Sequence, residues 1–411
     1  MVLYYGANKK DNTMNNFSAE EQRRLADINN SIPQLLAGNI LHDADGNPPV
    51  LLAGAEYNGI WLEHNQDCFF AADLFPDIAW NSQNIFMRHQ QPDGLLPYAF
   101  RFDPFRVCVS QLQTVWPFAR CALETARKLN RPEADFARIY EAGIRYDSWL
   151  KQYRSRNALG LVDMYCAFDT GHDNSRRVMD GGIPNPCPDK WAGNMPELPC
   201  MPIAAADLSA MRFGGLEALA ELAEMLDKPQ EAKELRVEAE MLKSAIHTHL
   251  FDRDDEFFYD LSQGVFRKYR TEHITRIFLN HVVDQALFDR IYNRYFENEN
   301  EFAVPYPFPS VSVSDPSYNA DHPHNCWGGN TQLLTLLRLP LWMEHYRRSD
   351  ELTRIMKRYL KAFIRHDNPF TQELHPETGA PIGNNGNYTP ALLFFREAYR
   401  RVFSLEKEAL V

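Results

Sequence analysis

Apolar residues recur at helical spacing in a series of blocks along the chain. Phe17-Ser18-Ala19-Glu20-Glu21 reads as a helix start. Ser18 is the N-cap and Glu21 its capping-box partner, in a helix expected to run to about residue 29. A second short helical segment follows, and residues 43–48 cluster Asp, Gly, Asn and Pro as a turn. Residues 67–90 carry Phe70, Leu74, Ile78, Ile85 and Phe86, with Pro76 as an interruption. Leu112, Val115, Trp116, Ala119 and Leu123 fall on one face of a helix predicted over 110–129. Further helices are predicted over 133–154, 207–226, 229–249, 284–296, 329–347, 350–365 and 388–402, with a short strand at 256–260.

Two stretches lack any period. Residues 155–206 form a long segment with neither helical nor strand patterning, punctuated by Pro and by the pair Gly181-Gly182. Such a length inside a compact chain is uncommon outside functional loops. Residues 303–326 are rich in Pro.

The sum is eleven or twelve helices arranged as consecutive hairpins. There is no βαβ alternation, which disfavours a doubly wound or TIM-type sheet. No repeat of 34–47 residues marks an open solenoid. The pattern fits an all-α closed double ring, an (α/α)6 barrel. Long irregular loops and a few short strands are expected at one end. Residues 1–411 form one catalytic domain, with 1–16 as a polar arm.

Composition narrows the function. Net charge is −12 and no long basic run exists, so nucleic acid is not an expected partner. No apolar run approaches the length of a membrane span, and residues 1–14 lack the apolar core of a signal peptide. The seven Cys are odd in number and include no CxxC pair. This argues for free thiols in a reducing cytoplasm and against a disulfide framework or structural zinc. Aromatic residues are 12%, and many stand in loops beside Gly, Pro, Asn and Asp, as in a cleft that stacks on sugar rings.

The chemistry concentrates in loops. Asp169-Thr170-Gly171-His172-Asp173-Asn174-Ser175-Arg176-Arg177 packs acids, an imidazole and two guanidiniums around a glycine. Asp173 is a candidate general acid, with Asp169 as the carboxylate that raises its pKa. An Asx turn is the bland reading of the same residues. In Gln372-Glu373-Leu374-His375-Pro376-Glu377, Glu373 is a candidate base, with Glu377 and His375 as competitors. Hydrolysis of a glycosidic bond needs two such carboxyls, about 6.5–9.5 Å apart for inversion. Trp61, Glu63, His64 and Asp67 form a third cluster at the head of a helix, with Asp67 alternatively an N-cap. Gln91, Asp93 and Gly94 form a similar loop. Trp327, Gly328 and Asn330 follow His322 and His324, whose HxH spacing alone is weak evidence for a metal. Neither a metal nor another cofactor is expected.

Gly171-His172-Asp173-Asn174-Ser175 resembles the Gly-x-Asp-Asn-Ser segment of glycoside hydrolase family 63 and its trehalase-like relatives. Asp207-Leu208-Ser209-Ala210 is similar to the same enzymes, as are Trp327-Gly328-Gly329 and His375-Pro376-Glu377-Thr378-Gly379. These lie in order over residues 57–400. The resemblance implies an inverting (α/α)6-barrel hydrolase of the compact mannosylglycerate or glucosylglycerate type, with Asp173 as acid. It implies substrate contacts from Trp61, Glu63, His64, Asp67, Gln91, Asp93, Gly94, Asn174, Arg176, Arg177, Trp327, Gly328, Asn330, Gln372, His375 and Tyr388. The chain departs from the family pattern in three places. Arg176 stands where a Pro is usual, and the Trp loop lacks its usual Arg and Pro. Spacing to Pro376 would put the family's basic Glu at Gln372, one residue before Glu373. The expectation is therefore an exo-acting hydrolase of a small α-linked glycoside. A sugar epimerase or lyase working through histidines, or a non-catalytic carbohydrate-binding protein, are the alternatives.

Overall fold

A computed structural model describes residues 17–42, 46–54, 56–321, 326–383 and 386–403. The arm at 1–16, part of the 43–48 turn, and both His322 and His324 lie outside the described residues.

The helices in chain order are α1 (Ala19–Ala37), α2 (Asn65–Ala71), α3 (Pro76–Arg88), α4 (Phe118–Lys128), α5 (Glu133–Tyr153), α6 (Arg176–Met179), α7 (Ala206–Met225), α8 (Pro229–His249), α9 (Ile274–Leu279), α10 (Gln285–Ile291), α11 (Leu333–Met343), α12 (Ser349–Phe363) and α13 (Thr389–Val402). Helices α2, α4, α7, α9, α11 and α13 pack each on the next, and α13 packs back on α2. This closes an inner ring of six. Helices α1, α3, α5, α8, α10 and α12 form the outer ring, giving an (α/α)6 barrel. Sequence separates the two layers. In α7 apolar and small residues run all round and nearly all are buried. In α8 only Ala232, Leu235, Ala239, Leu242 and Ile246 are buried, one stripe at helical spacing.

The connections are lopsided. Each inner helix leads into the next outer one through three to five residues, whereas each outer helix leads into the next inner one through 24 to 52. All long loops and nearly all short strands therefore gather at the N-terminal ends of the inner helices. Three small sheets stiffen them. Gly59–Trp61, Ala99–Arg101 and Arg106–Cys108 form one. Asp163–Met164, Ile203–Ala204, Asp260–Ser262 and Val265–Arg267 form the second. Thr331–Gln332, Glu373–Leu374 and Pro381–Ile382 form the third, with Gln332 opposite Glu373.

Several boundaries differ from expectation. The capping box forms, with Glu21 N–H on Ser18 Oγ and Ser18 N–H on Glu21 Oε2, but α1 continues to Ala37 and absorbs Pro33. Pro76 starts α3 at its first turn, where a missing N–H costs nothing, so the 67–90 block is two helices. The helix predicted over 110–129 begins only at Phe118, after Pro117. Residues 111–116 are irregular backbone, held by Leu112 N–H on Asp169 Oδ1 at 2.8 Å. Helix α9 was not expected; it is under two turns long, too short for its period to register.

Candidate active site

The 155–206 segment becomes an ordered loop because buried ion pairs hold it. Asp169 is fully buried and pairs with Arg154 Nη1 at 2.5 Å. It also accepts main-chain N–H groups from Leu112, Tyr165 and Cys166. Its oxygens are thus committed to loop closure, which replaces the expectation that Asp169 raises the pKa of Asp173. The Cys166, Asp169 and Cys187 ligand atoms lie within 4.8 Å of one another, and the Arg154 guanidinium already supplies the positive charge there.

Arg177 corrects a second expectation. It is buried, with bonds to both oxygens of Asp207 (2.9 and 2.7 Å) and both of Asp260 (2.8 and 2.8 Å). It also donates to His172 Nδ1 at 2.8 Å. Its donors are spent on Asp207, Asp260 and His172, and it holds the loop that carries Asp173 in place. His172 Nε2 donates to Glu272 Oε1 at 2.6 Å. Arg276 bonds Glu272, Asp207 and the Thr170 carbonyl. Burial, aided by Arg276, pushes the His172 imidazole down to about 3, so it is neutral. Although burial alone would raise them, Arg177 and Arg276 hold Asp207 below the ordinary carboxylate range, and Arg276 with His172 holds Glu272 well below it. Sequence reading passed over Glu272, Arg276 and Arg338. The signal was there for the first two: an acid and a base four apart entering an apolar run, Glu272-His273-Ile274-Thr275-Arg276.

Within this frame Asp173 is partly exposed at the rim, followed by exposed Asn174 in the left-handed region (φ 61°). The Asp173 carbonyl accepts the N–H of Trp327 at 3.0 Å. One residue earlier, Cys326 N–H donates to Glu373 Oε1 at 3.1 Å, and Asn330 Nδ2 donates to Glu373 Oε2 at 3.1 Å. One short segment thus touches both expected carboxylate residues. Glu373 is fully buried in its strand. Gln372 points the other way, accepting from Tyr57 Oη. The Trp327 ring lies 5.0 Å from His172 and under the Arg276 guanidinium at 5.6 Å, and is itself buried. It is a prop for the ion network more than an open stacking face. The Gly328 carbonyl accepts Asn319 N–H.

The opposite wall comes from the loops before α2 and α13. Tyr57, Trp61, His64 and Tyr388 pack as an aromatic cluster with centroids 5.6–6.2 Å apart. His64 Nδ1 meets Asp67 Oδ2 at 3.1 Å, and its Nε2 meets Tyr388 Oη at 3.3 Å. Asp67 lies inside the first turn of α2 and is not its N-cap. Glu63 receives Gln113 Nε2 on Oε1 at 2.9 Å, and Gln113 in turn receives Gln111. These two glutamines sat in the stretch misread as helix. Burial raises the pKa of both Glu63 and Asp67. Gly171 joins the two walls: at φ +70° it has no Cβ, and a Cβ there would stand 1.9 Å from Glu63 Oε2.

Five expected contacts fall away from this cluster. Asp93 accepts the Trp149 indole N–H, and Arg145 bonds the Gln91 carbonyl, both on outer helix α5. A Cβ at Gly94 would lie 2.4 Å from the Arg145 carbonyl. That loop is a turn packed on α5. Arg176 is exposed and paired with Asp180. His375 Nδ1 accepts Glu377 N–H inside the turn that joins Glu373–Leu374 to Pro381–Ile382 in the third sheet.

Comparison with known proteins agrees with this architecture. The sequence pattern of the mannosylglycerate hydrolase MGH1-like glycoside hydrolase domain matches residues 68–389. The solved GH63 mannosylglycerate hydrolase from Thermus thermophilus, in complex with Tris, superposes with a TM-score of 0.70 at 16% identity, over 90% of this chain and 99% of that one. Neutral trehalase Nth1 from Saccharomyces cerevisiae gives 0.65 at 12% identity, over 87% and 76%. A rhamnosidase from Klebsiella oxytoca with rhamnose bound gives 0.62 at 15%, over 93% and 64%. These structures share the fold. The family match covers well over half the chain, which therefore belongs to the mannosylglycerate hydrolase MGH1-like glycoside hydrolase family and is a glycoside hydrolase.

Proposed function

We propose that the enzyme hydrolyses a small α-linked glycoside, of the disaccharide or glycosyl-glycerate type, from its end and with inversion. Asp173 protonates the leaving oxygen and Glu373 activates the attacking water. The observation that carries this reading is the Cys326–Trp327 segment. Its consecutive N–H groups bind Glu373 and the Asp173 carbonyl, so one segment ties the two residues together; inversion requires their carboxyl groups to stand about 6.5–9.5 Å apart. A carboxylate accepts about four hydrogen bonds, so Glu373 can hold a water beside its protein donors. Because Glu373 is sealed from bulk solvent, that water is an enclosed one. Trp61, His64, Asp67, Gln372 and Tyr388 wall the sugar; Asn174 stands at the rim.

The test is turnover of mannosylglycerate, glucosylglycerate, trehalose and aryl α-glycosides, with the product anomer followed by NMR. The β-anomer should appear first. Asp173→Asn and Glu373→Gln should each lower kcat by about 10²–10⁴-fold with the fold intact. Wild-type rates in either variant remove that residue from the mechanism. Conversion of a free sugar with no aglycone released would favour an epimerase.

A further inference from the structure

We propose that Glu63 and Arg338 form a clamp for hydroxyl groups of the sugar ring, beneath the loop that carries Asp173. The inference rests on reading this cluster of loops as a sugar site. Both side chains are more than nine-tenths buried. Glu63 Oε1 is satisfied by Gln113, yet Oε2 has no hydrogen-bond partner among the described residues. Arg338, on inner helix α11, donates from Nη2 to the main-chain carbonyl of Glu63 at 3.1 Å. Its Nε and Nη1 have no partner among the described residues. A main-chain bond thus holds Arg338 beside Glu63, and each of the two side chains keeps buried polar atoms unpaired. Buried polar atoms in folded proteins are nearly always paired, so a set of this kind calls for a ligand.

The hydrogen-bonding sense selects the ligand. An anion would suit Arg338 but offers no hydrogen to the Glu63 oxygen, and a cation would face the Arg338 charge. A hydroxyl donates once and accepts, so one hydroxyl or a vicinal pair serves both groups. Position agrees. Glu63 Oε2 abuts Gly171, two residues before Asp173, and a side chain at Gly171 would collide with it. The Arg338 guanidinium, brought down to about 10 by burial and by Arg276, stays charged at neutral pH. A charged donor makes the hydroxyl contact shorter and stronger than a neutral one would.

The experiment is an NMR titration of D-mannose, D-glucose and their monodeoxy derivatives into wild type, Glu63→Gln and Arg338→Met, with thermal unfolding as the check on fold. In wild type, removing one particular hydroxyl should weaken binding tenfold or more. Both variants should bind the parent sugar at least tenfold more weakly, and for them the same deoxy sugar should cost less than threefold. Equal deoxy penalties in wild type and variants, or parent affinity unchanged in folded variants, overturn the clamp. So does a large loss of kcat in Glu63→Gln with sugar affinity unchanged, which would make Glu63 a catalytic group instead. If a variant does not fold, the wild-type series decides: a flat deoxy series overturns the clamp. Turnover of α-glycosides by wild type reports separately on hydrolysis. Turnover with a flat deoxy series removes the clamp and leaves the hydrolase reading, whereas no turnover and no sugar binding removes both.

Discussion

His172 ties the stability of the acid loop to pH. Its Nδ1 accepts from Arg177 and its Nε2 donates to Glu272, so only the neutral ring fits. A second ring proton would face the Arg177 N–H. The folded-state pKa is pushed down to about 3, against 6.5 for the free side chain. The sign follows from where the proton goes. Below pH 6.5 the unfolded chain takes up a proton that the folded chain refuses, so stability is full above 6.5 and falls as the solution is acidified. The slope is about 1.4 kcal/mol per pH unit. From pH 8 to pH 5 the loss comes to about 2 kcal/mol, and it reaches about 4 by pH 3. The variant His172→Gln carries a non-titrating donor and acceptor. Urea unfolding of both proteins at pH 8, 6.5 and 5 isolates the effect, because His273, also depressed, to about 4, titrates in both and cancels. The wild type's margin over the variant should shrink by about 2 kcal/mol between pH 8 and 5. A margin that does not change with pH would show that His172 can be protonated in place.

Two further outcomes test the corrected assignments. Arg177→Met should strand Asp260 without its cation and leave Asp207 with Arg276 alone, at a cost of about 3–5 kcal/mol. Calorimetry should show a clear fall in Tm; a raised KM at unchanged Tm would return Arg177 to substrate binding. Gly171→Ala places a Cβ against Glu63 Oε2 and forces an L-residue to φ +70°, which costs about 1–2 kcal/mol before the clash is counted. Its kcat/KM should fall at least tenfold, and adding Glu63→Ala should recover stability only in part, since the backbone strain remains. Full recovery would mean the glycine serves contact alone.

The barrel was legible because it is written in long-range periodicity: blocks with one buried stripe, such as α8, alternate with blocks buried all round, such as α7. The acid loop was legible for the opposite reason, as polar density with no period at all. Failures came where one residue carries two messages. Leu112, Val115 and Trp116 are spaced as a helix face, yet Pro117 and the Asp169–Leu112 bond keep 111–116 irregular, so Gln111 and Gln113 were missed. Arg177 and Asp169 have the chemistry of a binding site, and only burial reveals that Asp169 spends it on Arg154 and Arg177 on Asp207 and Asp260. Helix α9 is shorter than the window in which a period can be seen, which hid Glu272 and Arg276.

The buried charges also explain how so long a loop can hold Asp173, the proposed acid, in one place. Fixing 52 residues between α5 and α7 is entropically costly at about 1–2 kcal/mol for each ordered backbone unit. Apolar burial alone would hold such a segment against the barrel without fixing its register. Paired ions do fix it, because Arg177 must meet Asp207 on α7 and Asp260 on the second sheet at once, and Arg276 must meet Asp207, Glu272 and the Thr170 carbonyl. Any slip leaves an uncompensated charge, the most expensive error a core can contain. The residues between these anchors, Gly171 to Ser175, are then left with one arrangement, in which Asp173 reaches the rim while His172 stays below it. On this argument the ion network contributes little net stability. Its consequence is a single position for Asp173, the proposed acid.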